Sequence, residues 1–311
     1  MHLRYVEIFC DTVAFRSFSK AAEARGMSQP AVSQAIQQIE ESLGVTLIDR
    51  SQRPLELTPA GRIYHDGCRK LLDEYREIED RVRQFNGRVA GRVRVASIYS
   101  VGLLQMSAYV REFERRYPDV ELRLDYVHPD EVYSRVRRDE AELGLVSFPR
   151  DGGDISCIPW QEQEMGLVVP PRHRLAASTA VKLAELDGES FVGFTDDLTI
   201  RRETDRLLKK HRVAVTVIHE FDNVENLKRA VEIGAGVSIL PLASVRREMD
   251  SGLLRAIPFL DAHFTRPLGI IHKRHKHLST AAERFVDLLH EDLGVDSPHT
   301  TPAALTTALS A

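Results

Sequence analysis

The 311-residue chain has little of what marks the specialised protein classes. It holds three cysteines, Cys10, Cys68 and Cys157, far apart and without a Cys-x-x-Cys pair. An odd, scattered set speaks against a disulfide framework or a zinc ribbon and leaves three small apolar side chains, expected to be buried. No run approaches the roughly 18 apolar residues of a membrane span. The first residues show no basic region followed by an apolar run, so a secretory leader is not expected and the chain is assigned to the cytoplasm. Neither sign of charge dominates: 42 Lys and Arg stand against 46 Asp and Glu, a net of −4. Composition therefore carries no global nucleic-acid signature. There is no Gly-x-Ser-x-Gly elbow, no phosphate loop and no His-Glu-x-x-His. The isolated Ser, His and Asp residues form no triad, so the chain reads as a non-enzyme without a cofactor. What remains, 43% hydrophobic and 28% charged, is an ordinary globular composition with room for two or three domains.

Four segments follow from patterning. Residues 1–58 read as helices with short turns, 59–88 as one long helix, 92–292 as alternating strands and helices, and 293–311, rich in Thr, Ala and Ser, as a loose tail. In the first, Leu3, Val6, Phe9, Cys10 and Val13 recur at helical spacing and mark one buried face. Ser19 is expected to cap a short second helix that Gly26 breaks. Ser28 is expected to cap a third, from Gln29 to about Leu43, with Pro30 in its first turn and Gly44 closing it. Two helices around a glycine-containing turn make a helix-turn-helix.

The third helix separates its residues by role. Val32, Ile36, Ile39 and Leu43 form an inward stripe, while Gln29, Ser33, Gln34, Gln37 and Gln38 lie largely outside it. A face of amides and hydroxyls suits reading base edges, since Gln pairs bidentately with adenine and Ser donates or accepts. An ordinary solvated face is the alternative, and it usually carries more Lys and Glu. Val45 to Thr58 reads as a wing. There Arg53 suits a narrow minor groove, with phosphate contact or plain solvation as the other readings. Residues 1–60 carry six basic and seven acidic side chains, which promises little sequence-independent affinity. Tight binding then needs several copies on one DNA. The long helix offers a means: Tyr64, Cys68, Leu71, Tyr75, Ile78, Val82 and Phe85 are spaced 4, 3, 4, 3, 4, 3. Such a seam forms a coiled-coil-like dimer or packs on its own protein's body. Gly87 and Gly91 end the helix as a hinge.

Ala21-Ala22, Ser28-Gln29-Pro30-Ala31-Val32-Ser33, Ile36, Ile39-Glu40, Leu43-Gly44, Leu47, Arg50 and Leu57-Thr58-Pro59-Ala60-Gly61, in this order, resemble the DNA-binding domain of LysR-type transcriptional regulators. The resemblance implies a dimer, often a tetramer, on double-stranded DNA with an interrupted dyad, and a recognition helix in the major groove. It maps base and phosphate contacts onto Gln29, Pro30, Ser33, Gln37 and Arg53. Ser28 and Gln34 complete the candidate set. Arg25 departs from the family's leucine and Gln34 from its frequent basic residue.

From residue 92 onward, Val93 and Val95 begin a strand, Val120 to Val127 alternates as another, and Leu143 to Phe148 is an apolar third, with helices between them. Such units imply a mostly parallel sheet. Residues 163–169 read as a crossing strand into a second lobe. That lobe holds Phe191-Val192-Gly193-Phe194, a helix from about Thr199, a strand at 215–221 and a helix at 224–233. Leu268 to His272 and a helix to Leu289 return to the first lobe. Two α/β lobes joined by two crossings make a cleft, where ligands sit at helix N-termini. The run from Asn223 through Gly234-Ala235-Gly236-Val237-Ser238-Ile239-Leu240-Pro241 resembles the LysR-type effector domain, which shares the two-lobed fold of periplasmic binding proteins. The fold expected is thus an all-α winged helix-turn-helix, a linker helix and a two-lobed α/β domain.

By that resemblance, cleft positions fall on Ser97, Tyr99, Ser100, Ser147, Thr195, Thr199 and Asn223. Hydroxyls and amides at helix starts suit a small anion. Arg201 and Arg266 add charge-assisted contacts or form surface ion pairs. The Asn223 stretch resembles a subgroup concerned with central carbon and sulfur metabolism, which points to a carboxylate such as citrate or to a sulfur metabolite as effector. His272, His275 and His277 among Lys273, Arg274 and Lys276 read as a solvated strand exit or a metal site, but no partner has metal spacing. The chain is therefore read as a ligand-responsive regulator, with RNA polymerase as a further partner this reading allows and no membrane partner. A solute-binding protein fits only the second half. An enzyme would need a base in the cleft.

Overall fold

The computed structural model describes residues 3–52, 54–84, 88–291 and 293. Arg53, Phe85, Gly87 and the tail from Gly294 onward lie outside the described residues. The chain divides into two compact units at the Gly91/Arg92 junction.

The first unit contains α1 (Leu3–Phe15), α2 (Phe18–Ala24), α3 (Gln29–Leu43), β1 (Ile48–Asp49), β2 (Glu56–Leu57) and α4 (Pro59–Gln84). The cap of α2 is Ser17, not Ser19. Arg16 adopts a positive φ of 48° and turns the chain so that the Ser17 hydroxyl accepts from the Lys20 amide at 3.3 Å. That puts Ser19 inside the first turn. Ser28 caps α3, accepting from the Ala31 amide at 3.3 Å, and Gly44 closes it at φ 68°. Val32, Ile36 and Ile39 are buried with Ile8, Phe9, Leu47 and Ile48. Leu43, expected in that stripe, is 45% exposed. The chain turns at Gly44, and Leu47 and Ile48 fill the core instead. β1 and β2 pair antiparallel as the wing.

The long helix divides its seam. Tyr64 packs edge-on against Phe9, ring centroids 5.2 Å apart. Cys68 and Leu72 are buried with Val6 of α1. Leu72 rather than Leu71 is the buried leucine, because packing on α1 follows the i, i+4 ridge from Cys68. Beyond it, Leu71, Tyr75, Ile78 and Val82 remain exposed, the last two at 58% and 62%.

The second unit runs β3 (Gly91–Ser97), α5 (Tyr99–Arg116), β4 (Val120–Tyr126), α6 (Pro129–Arg137), β5 (Leu143–Ser147), β6 (Ile155–Val169), β7 (Ser190–Phe194), α7 (Thr199–Lys210), β8 (Thr216–Phe221), α8 (Val224–Glu232), β9 (Ser238–Pro241), α9 (Arg246–Asp250), β10 (Arg255–Ile257), β11 (Thr265–Lys273) and α10 (Thr280–Leu289). The main sheet has the order β10-β6-β11-β5-β3-β4, with β9 also on β6. The strand–helix–strand part is parallel where β3 meets β5, as expected, but the sheet as a whole is mixed. β3/β5 and β7/β8 are parallel, but β11 is antiparallel to β5 and β6, and β6 is antiparallel to β9 and β10. The reason is the double crossing: β6 leaves the first lobe and β11 returns, so they run in opposite directions.

The crossing strand begins at Ile155, eight residues before the expected 163. Pro159 and the polar run Gln161 to Glu164 hide the strand from a hydrophobicity reading, and the register slips by one where Leu268 pairs Gln161 and Gly269 pairs Pro159. The second lobe closes around Phe191, Leu227, Ile239 and Leu254. No helix among the described residues is long and apolar enough to cross a membrane.

Candidate functional site

In the first unit, α3 presents Ser28, Gln29, Pro30, Gln34, Gln37 and Gln38 to solvent, with Ser33 half-buried. The Gln37 amide donates to Glu41 Oε1 at 2.9 Å, which orients it along the helix face. Behind α3, the Glu40 carboxylate accepts from the Leu47 and Ile48 amides at 2.7 and 3.2 Å and from Arg50 Nη2 at 2.9 Å. Glu40 thus ties the wing to the helix it flanks. Arg25 pairs with Glu7 at 2.9 Å and Asp11 at 2.5 Å, which accounts for a cation where an apolar residue was expected: it bridges α1 and the end of α2.

These pairings bear on DNA affinity. Arg25 and Arg50 are held by carboxylates, whereas Arg16 and Lys20 have no acidic partner among the described residues. Of the described basic residues in 3–60, Arg4, Arg16 and Lys20 stand outside ion pairs, so binding should release few counterions. The slope of log K against log salt is expected near −3 per head and about −5 to −6 for a dimer. Operator binding titrated from 50 to about 300 mM salt checks this; a markedly steeper slope would mean that the internal pairs open on DNA.

In the second unit, a cleft lies between the lobes. Four helix N-termini line it. α5 brings Tyr99 and Ser100, α6 brings His128 and Pro129, α7 brings Leu198 and Thr199, and α8 brings Asp222 and Asn223. Each start is set by local sequence. The His128 ring accepts from the Asp130 amide at 3.4 Å, ahead of Pro129, and Asn223 caps α8 through the Asn226 amide at 2.9 Å. Unsatisfied N–H groups and the helix dipoles at such ends favour an anion.

Arg266 of β11 contributes the cleft's cation. It is 2% exposed. Its Nε donates to Gln163 Oε1 at 3.1 Å, Nη2 donates to the same oxygen, and Nη1 donates to Ser100 Oγ at 3.0 Å. No carboxylate pairs with it among the described residues. Burial pushes the guanidinium down to about 9, still cationic at neutral pH. A buried, hydrogen-bonded, uncompensated cation is unfavourable unless something anionic meets it.

Of the residues expected at the cleft, the structure brings together Tyr99, Ser100, Ser147, Thr199, Asn223 and Arg266. Ser97, Thr195 and Arg201 are not in the lining. Ser97 is fully buried and donates to Ile98 O at 3.2 Å. Thr195 stands behind the rim, its amide donating to Phe221 O at 3.0 Å. Arg201 turns away to Asp205 at 2.9 Å, Phe194 O at 2.7 Å, and Glu220, so its role is to brace α7 on β7 and β8. Sequence reading missed His128, Gln163 and Asp222. His128-Pro129-Asp130 is itself a helix-start signal and would have placed His128 beside the cleft. Gln163 gave none. The 272–277 stretch is tied down: Lys273 and Lys276 reach Asp139 at 2.6 and 3.3 Å, and Arg274 pairs with Asp151. Among the described residues no cluster of three or more His, Cys, Asp or Glu side chains suits a metal.

Comparison with known proteins agrees with this architecture. A family model described as bacterial regulatory helix-turn-helix protein, lysR family, matches residues 3–62. One described as LysR substrate binding domain matches 86–294. Among similar curated proteins is the uncharacterised helix-turn-helix transcriptional regulator YeiE of Escherichia coli K12, 28% identical over 92% of this chain and 96% of its own. Among solved structures, full-length OxyR from Pseudomonas aeruginosa aligns with TM-score 0.69 at 22% identity, over 93% of both chains. Full-length CbnR in complex with its target DNA aligns with TM-score 0.68 at 21% identity, over 93% of this chain and 99% of that one.

Proposed function

The chain belongs to the LysR family of DNA-binding transcriptional regulators with an effector-binding domain, and from that premise we propose that its effector is a small anionic metabolite held between the two lobes. The observation that carries this is Arg266, buried with no carboxylate paired to it among the described residues, where four helix N-termini converge. An anion favours whichever lobe arrangement best neutralises that charge, and only such a difference in affinity moves the protein between states. The lobe arrangement then sets the spacing of two DNA-binding heads.

The proposed DNA contacts are Ser28, Gln29, Pro30, Ser33, Gln34 and Gln37 on α3, with Arg53 in the wing. The target-DNA complex of the CbnR neighbour supports this mode. Dimer formation through α4 is supported by the exposed row Leu71, Tyr75, Ile78 and Val82. Ile78→Lys is expected to convert a dimer to a monomer at micromolar concentration by light scattering, since it puts like charges on a two-fold seam. An unchanged mass would remove α4 from the interface. A tetramer, an interrupted-dyad operator and contact with RNA polymerase belong to the same proposal.

Sequencing genomic fragments captured by the purified protein tests the regulator reading. A small set of sites sharing a dyad is expected. No enrichment over random fragments, with and without cell-extracted metabolites, would contradict it.

A further inference from the structure

Thr199 is one of the second-lobe residues that line the cleft, and its hydrogen-bonding capacity is unevenly used. A hydroxyl has two acceptor positions and one proton to donate. Both acceptor positions are filled: Arg202 Nη2 donates at 2.8 Å and Arg150 Nη2 at 3.3 Å. What remains is the proton, which has no acceptor among the described residues, on an oxygen polarised by two guanidinium groups. Thr199 therefore faces the cleft as a donor only.

The opposite wall also offers donors, although Ser100 keeps one acceptor position open. Ser100 Oγ accepts from Arg266 at 3.0 Å, which leaves the Ser100 proton to donate. Arg266 keeps further N–H groups beyond those bound to Gln163 and Ser100, and it can only donate. Two separate donor centres thus line one cavity, the Thr199 hydroxyl and the Arg266 guanidinium with Ser100, and each carries or is backed by positive charge with no carboxylate partner among the described residues. Neither Arg150 nor Arg202 has a carboxylate partner among the described residues. Arg202 is instead fixed on the Asp197 and Asp196 carbonyls at 2.7 and 3.3 Å. Two carboxylates nearby are occupied. Asp197 lies 3.1 Å from His128 Nε2. Asp222 accepts from Asn223 Nδ2 at 2.8 Å and sits beside the α8 N-terminus, whose N–H groups offset its charge.

We propose that the effector carries two acidic groups, one received by Arg266 and Ser100 and the other by the Thr199 hydroxyl, with Arg150 and Arg202 as positioning residues that act through Thr199. This rests on the effector reading above and narrows it to a class: a small dicarboxylate, or an acid in which a phosphate or sulfonate replaces one carboxylate. Arg150 comes from the first lobe and Thr199 from the second, so a ligand that engages Thr199 also holds the lobes together. That supplies the differential affinity a switch requires.

The test uses the full-length protein and defined probes: acetate with one acid, malonate and succinate with two, measured by calorimetric titration. At least one two-acid probe is expected to bind about tenfold or more tightly than acetate, the scale of one charge-assisted hydrogen bond. Thr199→Val should erase that advantage and leave acetate unchanged. Thr199→Ser, which keeps the hydroxyl, should retain it, and Arg150→Ala should reduce it. Thr199 and Arg150 lie at the rim, so these variants are expected to fold, with melting curves as the check. If malonate and succinate bind no better than acetate, or Thr199→Val weakens all three alike, the two-acid inference is overturned. In that case acetate binding that is lost in Arg266→Gln would leave the anionic-effector reading standing. Absence of any Arg266-dependent binding at millimolar probe would overturn both.

Discussion

Replacing Gln163 and Arg266 together by methionine should raise the melting temperature of the ligand-free protein by about 2–4 °C, roughly 1 kcal/mol for a domain of this size, and should abolish stabilisation by any effector. The buried guanidinium has hydrogen bonds but no counter-charge, so in the ligand-free state it is disfavoured. Two apolar side chains of similar volume remove the charge and the polar group that answers it. The single Arg266→Met change should fall below the double variant, because it leaves Gln163 Oε1, now bonded twice, without a donor in a residue only 6% exposed. Scanning calorimetry of the three proteins, with and without a panel of metabolites, reads both effects. A double variant less stable than wild type, and still stabilised by the same compounds, would mean that Arg266 is structural. The trade of stability for response is what a ligand-gated site predicts.

The second large effect is expected at Gly61→Ala. A Cβ at Gly61 would stand 2.0 Å from Leu47 O and 2.9 Å from its carbonyl carbon, both backbone atoms that cannot turn aside. Here the wing is fastened to α4. The Thr58 amide donates to Leu47 O at 3.0 Å, its hydroxyl donates to Thr46 O at 2.7 Å, and the Gly61 amide donates to that hydroxyl at 2.9 Å. A methyl group forces the strand off the helix, at a cost of about 1–3 kcal/mol, and displaces the wing relative to α3. Operator affinity should fall along with stability. Gly67, six residues along the same helix, has nothing within 4 Å of its Cβ position. Gly67→Ala should therefore be neutral or stabilise by up to about 1 kcal/mol, since alanine is the better helix former. Equal melting curves for the two variants would contradict the clamp.

What could be read from the sequence follows from how local the cause is. The start and end of α3 need only Ser28, Pro30 and Gly44, all within the helix or next to it, and the strand–helix alternation of the second unit needs only hydrophobic periodicity. The start of α2 was misplaced because two serines stand two residues apart, and the choice of Ser17 depends on the positive φ of Arg16. The long crossing strand was half invisible because its polar first half is held by pairing with β11 rather than by an apolar face. At the cleft, residues at the end of a strand or at a helix start, such as Ser100, Ser147, Thr199 and Asn223, were legible. The partners of arginines were not. Arg201 and Arg266 look alike in sequence, but one is enclosed by Asp205 and Glu220 and the other faces an amide and a hydroxyl. The Arg201–Asp205 pair is local, an i, i+4 pair on α7, but the Arg201–Glu220 contact and the Gln163 that answers Arg266 come from other strands, 19 and 103 residues away, which no local pattern encodes.

The most direct test of the account joins the two units in one experiment. Any compound that raises the melting temperature of wild type but not of the Gln163→Met/Arg266→Met protein is added to the operator complex, and the DNA footprint of both proteins is mapped. The wild-type footprint is expected to shorten or shift with the compound while that of the double variant does not move. A wild-type footprint that stays the same with a compound bound through Arg266 would contradict the claim that this cleft controls the DNA-binding heads.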